Sequence, residues 1–144
     1  MVNPVLEQRQ QHYQPRLQIN RLCEHLEERI AKKRWEFQHT SFDPLTLWRI
    51  SNEVDAFNWV LQKVQIQSGM EKSTSENIID RIIIQLKKEL LRIERYLVRP
   101  SKVNFESSIR KRDRLKSRVS AIEWSLFQIH FLLAETLQEE GKSH

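Results

Sequence analysis

Glycine is nearly absent. The 144-residue chain has two, Gly69 and Gly141, so no glycine-rich loop can wrap backbone N–H groups around a phosphate. There is one cysteine, Cys23. That excludes an internal disulfide and fits a reducing compartment. No internal repeat and no useful strand-period segment occurs. No long apolar run occurs either. The most apolar stretch, Ile78 to Leu91, is interrupted by Asp80, Arg81, Gln85, Lys87, Lys88 and Glu89, too short and too charged to cross a membrane. Met1 to Gln8 lacks a basic region followed by an apolar one, so a secretory signal is not expected. A soluble cytoplasmic protein with no membrane role is expected.

Catalytic constellations are missing too. His12, His25, His39, His130 and His144 are scattered. Cys23 and His25 come nearest to a ligand pair, but residues two apart on a helix point away from each other. The expectation is no metal, no cofactor and no enzyme.

What the chain does have is helical periodicity. At this length it suits one domain with one core. Residues 1–15 are Gln-rich, carry Pro4 and Pro15, and read as a flexible arm. From 16 to 140 four amphipathic segments follow, by the spacing of their apolar residues. The first presents Ile19, Leu22, Cys23, Leu26, Ile30 and Phe37. After a turn at 39–43, Asp43-Pro44 marks a helix start, with Asp as N-cap and Pro at the first helical position. The second segment presents Leu47, Ile50, Val54, Phe57, Leu61 and Val64, and ends near Gly69. Ser73 to Glu76 reads as a capping box. The third presents Ile79, Ile82, Ile83, Leu86, Leu90, Ile93 and Leu97, and stops before Pro100. The fourth is the longest, from Phe105 through Ile109, Leu115, Val119, Ile122, Leu126, Ile129 and Leu133 to Leu137, with Arg112 in its seam. Short connections favour antiparallel neighbours. The predicted fold is all-α, an antiparallel up-down-up-down four-helix bundle with a long C-terminal helix.

The charge is uneven. Lys plus Arg is 24 against 19 acidic residues, a net +5. Lys88, Arg92, Arg95 and Arg99 share one face of the third helix, opposite its core stripe. Arg110, Arg114 and Arg118 form a similar row on the fourth, away from its seam. Up-down topology brings both rows together with Lys32, Lys33 and Arg34, making one cationic pole. Glu76, Asp80, Glu135, Glu139 and Glu140 collect at the other. Like charges at i,i+4 weaken a helix by roughly 0.2–0.5 kcal/mol per pair, so local stability does not explain the rows. Two readings stay open: a phosphate-binding face, or a solvated face offset by Glu89, Glu94, Glu106 and Asp113.

Aromatic residues stand off the predicted seams. Trp35 projects opposite the first core stripe. Trp48, Trp59 and Ile66 share a second apolar face on the second helix. Trp124, Phe127 and Phe131 do so on the fourth. A helix apolar on two faces is either central or covered by another chain. Trp35 and Trp48 are candidates for base stacking beside the cationic pole. Trp59, Ile66, Trp124, Phe127 and Phe131 are candidates for a partner interface or self-association.

Four short elements, in order, resemble the primosomal replication protein PriC family. They are Ser41-Phe42-Asp43 with Leu47-Trp48, Glu53-Val54-Asp55-Ala56, Ile82 to Leu86, and Phe105-Glu106 with Ile109-Arg110. They touch about half of the chain. The family's His-Gln before the aromatic-Glu pair, and its Arg-Cys and Ile-Glu endings, have no counterpart here, so its partner-binding arginines are not carried over. The resemblance implies a basic helical accessory protein that binds single-stranded DNA at stalled forks, contacts single-strand-binding protein and helps reload the replicative helicase. The leading expectation is therefore a non-enzymatic nucleic-acid-binding accessory protein, with single-stranded DNA binding in replication restart as its specific form. The alternative is a helical protein–protein adaptor, chaperone or small homo-oligomer that uses the aromatic faces.

Overall fold

The computed structural model of the chain describes residues 15–39, 43–69, 76–98 and 106–142, with side chains for 18–39, 43–69, 78–98 and 108–135. Four helices account for them: α1 (Pro15–His39), α2 (Pro44–Gly69), α3 (Glu76–Val98) and α4 (Glu106–Lys142). The fold is all-α, as the periodicity predicts. The 1–15 arm (except Pro15), the 40–42 part of the turn, Ser73 to Ser75 of the capping box, and Arg99, Pro100 and Phe105 lie outside the described residues. So do the side chains of Glu76, Leu137, Glu139 and Glu140.

Local chemistry sets the start of α2. Asp43 Oδ1 accepts the Leu45 N–H at 3.3 Å, and Oδ2 accepts the Thr46 hydroxyl at 2.9 Å. The Leu47 N–H donates to the Asp43 carbonyl at 3.0 Å, closing the first helical turn. Orphan N–H groups at a helix start are satisfied this way, and Pro44 has none to lose.

Pairwise contacts give the directions. Lys33 of α1 meets Glu53 of α2, His25 of α1 meets Gln128 of α4, Gln67 of α2 meets Gln85 of α3, and Glu89 of α3 meets Arg118 of α4. Each pair belongs to antiparallel helices. The ends of α1 and α3 therefore share one pole with the starts of α2 and α4.

The core is built from Ile19, Leu22, Leu26 and Ile30 of α1, Phe57, Val60 and Val64 of α2, Ile78, Ile82, Leu86 and Ile93 of α3, and Leu115, Ile122, Ile129 and Leu132 of α4. α2 packs most closely against α1 and α4, and this answers the question of its two apolar faces. It is the central helix. Of its most buried positions, Ala56 and Val60 lie between those two faces and Val64 belongs to the first, while Val54 and Leu61 are only half-buried.

Two core expectations fail. Ile109 is 53% exposed. Six residues separate it from Leu115, roughly 600° of helix, which leaves it about 120° off the stripe. The seam at that level is taken instead by Arg112. Phe37 is 44% exposed. It is in line with Ile30 but sits in the last turn of α1.

A candidate nucleic-acid interface at the cationic pole

Between Arg110 and Arg118, α4 carries Arg110, Lys111, Arg112, Arg114, Lys116 and Arg118 against one acid, Asp113. The fold places five of these cations against neighbouring helices. Arg110 and Arg114 are one helical turn apart, and both reach α2. Their guanidinium carbons stand 5.8 and 5.9 Å from the centroid of Trp48. Arg118, one turn on, lies 4.9 Å over Trp59, which also receives Lys63 at 5.5 Å. Lys111 sits 4.6 Å over Tyr96 of α3. Arg112 donates to the Leu97 carbonyl at 2.8 Å. That carbonyl is in the last turn of α3, where acceptors lack helical partners and the dipole favours a cation.

The arginine row was expected away from the helix seam. It instead faces the tryptophans of α2, because α2 lies beside α4 at this pole rather than diagonally across the bundle. Electrostatic attraction between a guanidinium and a ring face holds the arginine without consuming its N–H donors. Arg110 and Arg114 remain exposed.

The α3 row splits. Lys88, Arg92 and Arg95 are all exposed, as the helical rotation predicts, while Arg99 lies outside the described residues. Arg92 folds back onto Glu89 through Nε at 3.2 Å and through its terminal nitrogen at 2.5 Å. Glu89 also meets Arg118 at 3.4 Å. The two basic rows thus converge, but a half-buried carboxylate stands between them. Its hydrogen bond from Arg92 holds the Glu89 pKa below the ordinary carboxylate value. Burial opposes this, and the charges of Arg92 and Arg118 add to the lowering.

Trp35 stands on its own helix, 58% exposed, with its ring stacked on His39 at 4.3 Å. The His39 Nδ1 is 2.9 Å from the Trp35 carbonyl oxygen, which fixes Nδ1 as the donor. Lys33, one residue of the basic triplet, is engaged by Glu36 and Glu53.

The partner-interface candidates divide. Trp59 and Trp124 are half-buried and pack against the core. Trp124 also makes an edge-on contact with Phe57, centroids 5.4 Å apart. Ile66, Phe127 and Phe131 are 49, 66 and 51% exposed.

Cys23 is half-buried and packs on the core. Burial first, then Glu27 and Glu24, push its thiol pKa up, away from nucleophilic use. Among the described residues no three His, Cys, Asp or Glu side chains gather as metal ligands. No described helix is long and apolar enough to cross a membrane.

Sequence reasoning missed Arg29 and Arg49, which line the cleft between α1, α2 and α4 with Lys116, a cation of the basic stretch of α4. No periodic signal marks them, since each comes from a different helix. Compared with protein families, curated proteins and solved structures, the chain matches none.

Proposed function

We propose that the protein is a non-enzymatic nucleic-acid-binding accessory protein whose contact surface is the cationic pole. One observation carries this reading. Arg110 and Arg114, both at exposed positions, are held against Trp48. Arginines held in advance lose less freedom on binding, so more of the contact energy appears as affinity. Phosphate contact is what such a row offers. Lys88 and Arg95 widen the surface along α3, and Arg92 and Arg118 join it to the extent that Glu89 releases them.

The geometry revises the stacking roles. Trp48 is occupied by arginines and orients them. Trp35, exposed and backed by His39, is the ring with a free surface for a base. An exposed ring beside cations favours single strands, whose bases are unpaired. The resemblance to the PriC family points the same way, toward single-stranded DNA in replication restart.

The test is an anisotropy titration over a salt series, with single- and double-stranded oligonucleotides. Affinity for the single strand should fall steeply with salt. In R110E/R114E it should drop by more than about tenfold, with the salt slope shallower by about two contacts. Equal binding by this variant and the unaltered protein would remove the pole from the interface.

The adaptor reading has one observation in its favour. Phe127 and Phe131 lie one turn apart on α4, and both are largely exposed.

A further inference from the structure

A second cationic feature lies on the other flank of α4. In the lower half of the bundle α1 and α4 touch, through His25 Nδ1 and Gln128 Oε1 at 3.2 Å and through Arg21 and Glu135 at 3.9 Å. Toward the cationic pole an open cleft of ≈ 400 Å³ lies between them, with α2 contributing to its lining. That volume falls within the range of about 300–1,000 Å³ that small-molecule sites occupy.

The lining is unusual in its charge. Arg29 comes from α1, Arg49 from α2 and Lys116 from α4, with the hydroxyls of Ser117 and Ser120 beside them. Lys33 and Glu53 also line it, but they pair with each other and cancel. Arg49 and Lys116 continue into an adjoining depression that reaches Trp48 and contains Asp113.

Arg29 supplies the second observation. Its guanidinium carbon lies 5.8 Å from the ring centroids of both Phe57 and Trp124. Its Nε is buried and has no hydrogen-bond acceptor among the described residues. A buried donor on a charged group without a partner is costly, more so than an ordinary lost hydrogen bond. The rings hold the guanidinium in place, yet nothing described in the chain accepts from that Nε.

We infer that this three-helix cleft is a phosphomonoester site. Three cations from three helices, left over after the Lys33–Glu53 pair, match a phosphate dianion, and charge-assisted hydrogen bonds from arginine suit its oxygens. A mononucleotide or the phosphorylated 5′ end of a strand would present the same group. The inference stands on the cleft itself and goes beyond the reading of the pole.

Calorimetric titration of the full chain with adenosine 5′-monophosphate, and with adenosine as control, tests it. A parallel anisotropy titration compares one oligonucleotide with and without a 5′-phosphate. The substitutions are R49Q/K116Q, both at exposed positions, and separately R29Q, with thermal melting to check folding. The monophosphate should bind and adenosine should not, and R49Q/K116Q should weaken that binding by about tenfold or more at unchanged melting temperature. R29Q should weaken that binding to a similar degree.

A 5′-phosphate that tightens oligonucleotide binding only in the unaltered protein supports the site with a strand end as its source. Monophosphate binding without that effect supports it with a free nucleotide. If the monophosphate binds no better than adenosine and the 5′-phosphate adds nothing, the cleft is not such a site. If the monophosphate binds while the unphosphorylated oligonucleotide does not, the cleft stands and the nucleic-acid reading of the pole fails.

Discussion

From Arg110 to Arg118, α4 buries one aliphatic side chain, Leu115, and otherwise meets its neighbours through cationic groups laid over rings, one backbone carbonyl and one carboxylate. From Ala121 to Leu132 it meets them chiefly through buried aliphatic side chains, with Ile122 wholly inaccessible, and Trp124 and Gln128 add a ring contact and a hydrogen bond. Both halves pack, but by different physics. Aliphatic burial gains roughly 25 cal/mol per Å² removed from water. A partly exposed cation over a ring gains about 0.5–1 kcal/mol. The first half therefore contributes less to stability for the same length of helix. In exchange it keeps a set of charged donors at the surface, held in place, which the second half cannot offer. If the pole binds nucleic acid as proposed, stability and binding are separated along one helix, and each should respond to substitution with little effect on the other.

The sharpest way to break this contrast is Ile122→Ala. Removing a fully buried aliphatic group should cost about 2–5 kcal/mol. Denaturant unfolding should show it, while oligonucleotide affinity measured below the transition stays unchanged. A loss of affinity equal to that of the arginine variant would mean that the halves are not separable.

Trp48→Ala works on the other half. It leaves the net charge untouched but removes the ring that holds Arg110 and Arg114. Affinity should fall several-fold, with the salt slope nearly unchanged, because the same phosphates are met by less ordered arginines. A slope that falls with the affinity would show that contacts, and not their preorganisation, were lost.

Glu89→Gln probes the junction. It frees Arg92 and Arg118 for phosphate, so affinity should rise a few-fold and the salt slope steepen. It also weakens the tie between α3 and α4. The Glu89 carboxyl is held below its ordinary pKa in the folded protein. Its contribution is therefore fully present above the unfolded carboxylate value of about 4.3, and is lost as pH falls through the lower folded value. The stability gap between the unaltered protein and Glu89→Gln should be constant near neutrality and should shrink as pH falls through the acid range. A gap that widened in acid would contradict the assigned direction.

The smallest effect is expected from Phe127→Ser with Phe131→Ser. Exposed positions usually change stability by less than about 0.5 kcal/mol. Light scattering on both proteins checks the adaptor reading. A mass that drops in the variant would show that these two rings hold a second copy.

The sequence was most informative where a single helix decided the outcome. The spacing of Ile19, Leu22, Leu26 and Ile30, and of Ile79, Ile82, Leu86 and Ile93, is local geometry, and those stripes are the core. Asp43-Pro44 started a helix because capping involves only neighbouring residues. Lys88, Arg92 and Arg95 were outward for the same rotational reason. It was least informative where two helices had to be set against each other. The Arg110–Arg118 row was legible as a row, but its direction was not, since that depends on α4 lying beside α2. Trp48 and Trp59 were visible as a second face, and only the central place of α2 showed what covers it. Arg29 and Arg49 had no sequence signal at all, and Lys116 was legible only as one cation of the basic stretch of α4.

By itself the sequence determined four helices, their order, most of their buried stripes and the concentration of positive charge in the first half of α4. These follow from periodicity, capping and composition, which act within a few residues. Tertiary structure alone decided that arginines would rest on tryptophans, that Glu89 would stand between two basic rows, and that three cations would meet in a cleft. Such juxtapositions depend on interhelical rotation and distance, and a linear pattern leaves both free.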